Sequence, residues 1–137
     1  MQPDDPRLED ALAWLTKAEL DLRAADLERG SPEAGLWGDV AFHAQQAAEK
    51  ALKAFLTWHD QPFRKTHSIE VLGQACTAIE PELRQVVDAA VPLSEYAWKY
   101  RYPGDSGDPP REEAEDAVVA ARTLVLMVKA LLGSIPT

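Results

Sequence analysis

The chain has 137 residues, with 14 Lys+Arg against 23 Asp+Glu and a formal net charge of −9. Hydrophobic residues at 46% and charged residues at 27% exclude a disordered chain and supply one domain's core without disulfide or metal staples. A sequence pI of about 4.7 excludes a protein that grips long nucleic acid by bulk charge alone. The single cysteine, Cys76, has no intramolecular partner, and three histidines make no Cys/His cluster with zinc-ligand spacing. Met1-Gln2-Pro3-Asp4-Asp5 is unlike a signal peptide, and no run approaches the ~18 apolar residues of a membrane span. The expectation is a soluble, cytoplasmic, single domain over residues 1–137 that needs no cofactor.

Helical period dominates, and no segment alternates as a half-buried strand does. The first helix is expected from Pro6 to Glu28, with Leu8, Ala11, Leu12, Leu15, Ala18, Leu22 and Ala25 on one face. Asp4 or Asp5 caps it, and Gly30-Ser31-Pro32 ends it through the left-handed tolerance of glycine and the ladder-breaking of proline. The second helix is expected from Glu33 or Trp37 to His59, carrying Ala41, Ala44, Ala48, Leu52, Phe55 and Leu56 beside a row of Ala47, Ala51, Ala54 and Trp58. Small residues at that spacing let a neighbouring backbone come close, which places this helix centrally. Phe63-Arg64-Lys65-Thr66 is a basic loop with Thr66 as cap for a helix over His67 to Ile79, burying Ile69, Leu72, Cys76 and Ile79. A fourth helix follows from Pro81, with Leu83, Val86, Val87, Ala90, Leu93 and Ala97 inward and a kink at Pro92. After a Gly/Pro-rich loop over residues 102–110, Asp108 caps a fifth helix that runs to Gly133. Short connections make the whole an all-α, antiparallel up-and-down bundle of about five helices.

Charge is uneven along the chain. Residues 1–60 hold 12 acidic and 6 basic residues and residues 102–137 hold 6 and 3, whereas residues 61–101 hold 5 of each. Any anion site is therefore to be sought near the central stretch, whose bases include Arg64, Lys65, Lys99 and Arg101; the plainer reading is that these are ordinary solvated surface charges. On the second helix, His43, Gln46, Lys50, Lys53 and Thr57 recur at steps of three and four and share a side. Imidazole, carboxamide and two ammonium groups in a row suit phosphate or a partner's carboxylates; the plainer reading is a solvated face with a buried hydrogen bond or two. Tyr96, Trp98, Tyr100 and Tyr102 surround Lys99 and Arg101, an interleaving that can stack nucleotides or simply cover the bundle end. Glu112, Glu113, Glu115 and Asp116 serve the positive end of the fifth helix rather than a metal. Cys76, within an apolar stripe, reads as inert packing.

Three blocks, Phe42-His43-Ala44-Gln45-Gln46-Ala47-Ala48-Glu49-Lys50-Ala51-Leu52-Lys53-Ala54-Phe55-Leu56, Thr66-His67-Ser68-Ile69-Glu70-Val71-Leu72 and Tyr100-Arg101-Tyr102-Pro103, resemble in order and spacing the HEPN domain family of bacteria and archaea. The resemblance implies a four- or five-helix bundle, commonly a homodimer, often paired with a minimal nucleotidyltransferase in a toxin–antitoxin-like system. Many of these proteins are metal-independent RNases using an arginine followed four to six residues later by a histidine. The arginine steadies phosphorane charge and the histidine moves a proton. Arg101 stands in the arginine's place, but residues 106–108 are Ser106, Gly107 and Asp108 and no histidine follows. Three functions are open. The first is a binding module that holds a nucleotide or the nucleotidyltransferase through His43, Gln46, Lys50, Lys53, Tyr100, Arg101 and Tyr102. The second is an RNase toxin with an atypical site of Arg101 and His67 or His43, and the third is a structural helical dimer without ligand. His67, read at a helix start, would be kept neutral by the dipole and suited to act as a base.

Overall fold

The computed structural model describes residues 5–30, 35–104 and 107–133 of the chain. Five α-helices follow one another: α1 (Pro6–Arg29), α2 (Trp37–Trp58), α3 (Ile69–Ile79), α4 (Arg84–Ala90) and α5 (Arg111–Gly133). Two 3-10 segments, Pro81–Leu83 and Val91–Ala97, flank α4. Among the described residues there is no strand, and no helix is long and apolar enough to cross a membrane.

The centre of the bundle is α2, which packs against α1, α3, α5 and the Val91–Ala97 segment. Its Ala41, Ala44, Ala47, Ala48, Ala51 and Ala54 are all fully buried, so the small residues admit neighbours on more than one side. Around them close Leu15 and Leu22 of α1, Leu72 and Cys76 of α3, and Val118, Leu124, Val125 and Val128 of α5. Polar links set the direction of the helices. Lys50–Asp21 and His43–Glu28 tie α2 antiparallel to α1, and Lys129–Glu19 and Arg122–Asp26 tie α5 antiparallel to α1.

Several boundaries depart from the sequence expectation. Asp5 does cap α1, accepting from the Arg7 N–H, but Gly30 has φ −82° and is not left-handed; Ser31, Pro32 and Glu33 lie outside the described residues. Leu12 and Ile79, expected inside, are 45% and 36% exposed because each sits at the margin of its helix's buried stripe. The cap of α3 is Ser68, whose Oγ accepts from the Val71 N–H, while Thr66 Oγ1 accepts from Ser68. The helix starts at Ile69, so His67 precedes the first turn and the dipole argument for its ring fails. The expected fourth helix is divided: Pro92 has no N–H to continue the ladder, and the chain tightens to 3-10 geometry from Val91. Ser94 Oγ there accepts from the Ile69 N–H, fastening the segment to the start of α3. Asp108 does not cap α5, which begins at Arg111 with the Ala114 N–H donating to Pro110 O. Consecutive Pro109 and Pro110 keep the preceding backbone out of the helical region.

Candidate functional site

Two polar assemblies lie along α2. The first is at its N-terminal end. Tyr100 adopts φ +66°, an uncommon left-handed conformation for a side-chain-bearing residue. It brings the chain back against Gly38, where an added Cβ would stand 3.3 Å from Tyr100 Cβ and 3.3 Å from Asp108 Oδ1. Gly38 is therefore what lets this loop lie on α2. Arg101 then places its guanidinium 3.6 Å from the centroid of the Phe42 ring, a cation–π contact, with Asp39 Oδ1 at 3.7 Å. That ion pair is loose, and the Arg101 side chain keeps about a third of its surface in solvent (34%). Phe42 meets the His43 ring edge-on at 5.5 Å, and His43 Nδ1 is 2.7 Å from Glu28 Oε1. Tyr96, buried, stacks with Tyr100 at 6.2 Å. Burial, with the Glu113 carboxylate beside it, pushes the Tyr96 phenol far above its usual range. Trp98 and Tyr102 are exposed.

The second assembly is centred on Glu49, which is buried on α2. Its Oε1 accepts from Gln45 Nε2 (2.9 Å) and from His67 Nδ1 (2.8 Å), and its Oε2 accepts from Lys53 Nζ (2.9 Å). Gln45 also donates to the His67 carbonyl, and Gln46 donates to Gln45. Burial raises the Glu49 pKa, but the hydrogen bonds from Lys53, His67 and Gln45 outweigh it and hold the carboxyl below its ordinary value. Lys53 Nζ lies over the rings of Trp14 (5.4 Å) and Phe63 (5.8 Å). With Nδ1 committed to Glu49, the exposed remainder of the His67 ring presents Nε2 to water.

These contacts sort the residues expected from sequence. His43, Lys50 and Lys53 are each engaged with a carboxylate, Glu28, Asp21 and Glu49 respectively, so the row on α2 is largely the α1–α2 seam. Gln46 belongs to the Glu49 network. Tyr100, Arg101 and Tyr102 stand together at the bundle end, and through Phe42 they adjoin His43. Among the described residues no hydrogen bond, ion pair or ring contact joins His67 to Arg101. Gln45 and Glu49, at the middle of the second network, were not singled out by sequence. The Gln45/Glu49/Lys53 spacing of four residues was the available signal, hidden because polar residues within an alanine-rich helix read as a solvated face. Phe42 and Asp39 were missed because their roles depend on a loop sixty residues away. Among the described residues no three His, Cys, Asp or Glu side chains are grouped to hold a metal.

The HEPN domain family model matches residues 11–131. In three dimensions the chain is similar to the crystal structure of an archaeal HEPN homologue, at 24% identity and a TM-score of 0.64, over 93% of this chain and 99% of that one. At that identity the likeness speaks for the fold alone. No curated protein matches the chain.

Proposed function

The chain belongs to the HEPN domain family, and from that premise we propose that it is a binding module that holds a phosphate-bearing nucleotide at the Arg101 end, as partner of a minimal nucleotidyltransferase in a toxin–antitoxin-like pair. The observation that carries this reading is the Arg101 guanidinium, set over the Phe42 ring, about a third of its side chain exposed and only loosely paired with Asp39. A planar fork held on an aromatic ring has little rotamer freedom left to lose, and it can give two parallel hydrogen bonds to a phosphate. Tyr100 and Tyr102 beside it offer ring faces to a base. Lys50 and Lys53 are already committed to Asp21 and Glu49, and they contribute to the seam more than to a ligand.

Self-association belongs to the same reading, through a surface other than the alanine rows of α2. Those rows are spent inside the chain, with Trp58 buried and Trp14 and Trp37 packed on the core. Exposed instead are Leu20 and Leu27 of α1 and Val119 and Leu126 of α5, each pair seven residues apart on its helix and beside the α1–α5 ion pairs.

A ribonuclease reading has one observation in its favour. Glu28 holds His43 Nδ1, which leaves Nε2 for proton transfer next to the ring that carries Arg101. One experiment separates the readings. Equilibrium binding of ATP and of the partner nucleotidyltransferase is measured on the wild type, Arg101→Lys and Arg101→Ala, alongside cleavage of a short oligoribonucleotide in EDTA. A binding module loses ATP affinity in both variants and cleaves nothing. Cleavage abolished by His43→Ala transfers the site to the ribonuclease reading, and binding unchanged in both Arg101 variants removes Arg101 from it.

A further inference from the structure

We propose that residues 64–67 form a second anion site, in which Arg64, Lys65 and the outward Nε2 of His67 receive a compact phosphate group on a loop braced by buried Glu49. This site is separate from the Arg101 end. Phe42, on which Arg101 lies, and Glu49, on which His67 rests, are seven residues apart on α2, or ~10 Å along its axis.

Three observations lead to it. Among the described residues, Lys17, Arg23, Arg64 and Lys65 are exposed and carry no ion pair or hydrogen bond, and of these only Arg64 and Lys65 are adjacent. Two adjacent cations in a chain of net charge −9 make a local positive spot on an otherwise acidic molecule. Next, His67 is fixed rather than loose. Its Nδ1 donates to Glu49, its carbonyl accepts from Gln45, and 68% of its side chain stays in solvent. An imidazole so oriented hydrogen-bonds a phosphate through Nε2 in either protonation state, accepting from P–OH when neutral and donating to P–O when charged. Finally, the loop has a firm base on both sides. Phe63 packs edge-on against Trp14 and under Lys53, and Ser68 caps α3.

The dimensions select the ligand class. Arg64, Lys65 and His67 lie within four consecutive residues, which span at most ~14 Å even when fully extended. That suits one phosphate or diphosphate, with its charge concentrated on a few oxygens. An extended acidic peptide would instead meet the acidic remainder of the surface. Of the flanking carboxylates, Asp60 lines a cleft with Arg7, Asp10 and Phe63, and Glu70 lines the cleft between α3 and α4 with Arg84 and Asp88; among the described residues neither pairs with Arg64 or Lys65.

Histidine side-chain NMR at low salt, with inorganic pyrophosphate as the probe, tests the site. The His67 signals are identified by their loss in His67→Gln. They are expected to move saturably while those of His43 and His59 stay. The double variant Arg64→Ala/Lys65→Ala should weaken the apparent affinity about tenfold or more, since two charge-assisted contacts are lost. Its melting temperature should not change, because both side chains are exposed and unpaired. Arg101→Ala should leave the titration intact. Motionless His67 signals, or wild-type affinity in the double variant, would overturn the assignment. So would a titration lost in Arg101→Ala, which would put the anion at the bundle end. A polyglutamate peptide that moves the His67 signals where pyrophosphate does not would also overturn it, in favour of a protein partner.

Discussion

Glu49 accepts hydrogen bonds from Lys53, His67 and Gln45 while almost wholly out of water. A carboxylate in that position stabilises the fold only while it is ionised. Its folded-state pKa lies below its ordinary value of 4.5, so the folded state binds its proton less readily than the unfolded chain does. The contribution is complete above about pH 4.5 and is lost as pH falls through the lowered folded value. Melting curves between pH 3 and 7 should therefore show a fall at the acid end that is smaller in Glu49→Gln. That variant should also be less stable at pH 7 by ~3–5 kcal/mol, since it leaves Lys53 buried without its counter-charge; equal pH dependence in the two proteins would show that Glu49 titrates normally. At Arg101 the expectation is the reverse. Its contacts are a half-exposed ion pair and one ring, so Arg101→Ala should cost no more than ~1 kcal/mol of stability, and Arg101→Lys should lower nucleotide affinity while barely moving the melting temperature. Cys76 gives a third residue-scale outcome. Burial pushes its thiol up to about 12, and its Sγ–H donates to Leu52 O. A thiol reagent should modify it only as fast as the protein opens, and rapid modification under native conditions would contradict that.

At the scale of elements, the regular helices and the irregular run between α3 and α5 obey different rules. Helices α1, α2 and α5 follow from hydrophobic period and alanine content, so their extents read from sequence to within a few residues. The run from Pro81 to Ala97 does not, because its apolar residues keep a helical period across Pro92 although the hydrogen-bond ladder cannot. Packing then decides its course. Gly73 on α3 permits it: a Cβ there would fall 2.3 Å from Val87 Cγ1 of α4. Gly73→Ala should destabilise the protein by ~1–3 kcal/mol through overpacking, and Val87→Ala in the same chain should recover part of that loss in a denaturant titration. If Gly73→Ala melts like the wild type, α3 and α4 are not in close contact. The caps follow the same division. Asp5 was legible as one of two candidates, with Asp4, because an aspartate directly before a proline opens a long stripe. Ser68 was not, because Thr66 offers the same chemistry two residues earlier, and the choice falls to the one whose following residue, Ile69, is buried and donates to Ser94.

For the whole molecule, the exposed Leu20, Leu27, Val119 and Leu126 give the self-association reading a specific test. Sedimentation of Leu20→Glu/Leu126→Glu should show a monomer at concentrations where the wild type is a dimer. A wild type that stays monomeric at high micromolar concentration ends that reading. The all-α class and the central place of α2 were determined by the sequence itself, because period and residue volume are properties of the chain before it folds. Arg101 stood out in the sequence as a base among aromatics, whereas its seat over Phe42 is a tertiary contact. Which charges remain available for a ligand was decided only by tertiary structure. Spacing puts His43, Lys50 and Lys53 on one side of α2, but whether that side meets solvent depends on where α1 lies. Its Asp21 and Glu28, with Glu49 of α2 itself, claim all three. The same holds for Arg64 and Lys65, with which no carboxylate pairs among the described residues. A charge is freed or claimed by neighbours distant in sequence, and pairing energies that fall off within a few ångströms cannot be read from a pattern that records only order along the chain.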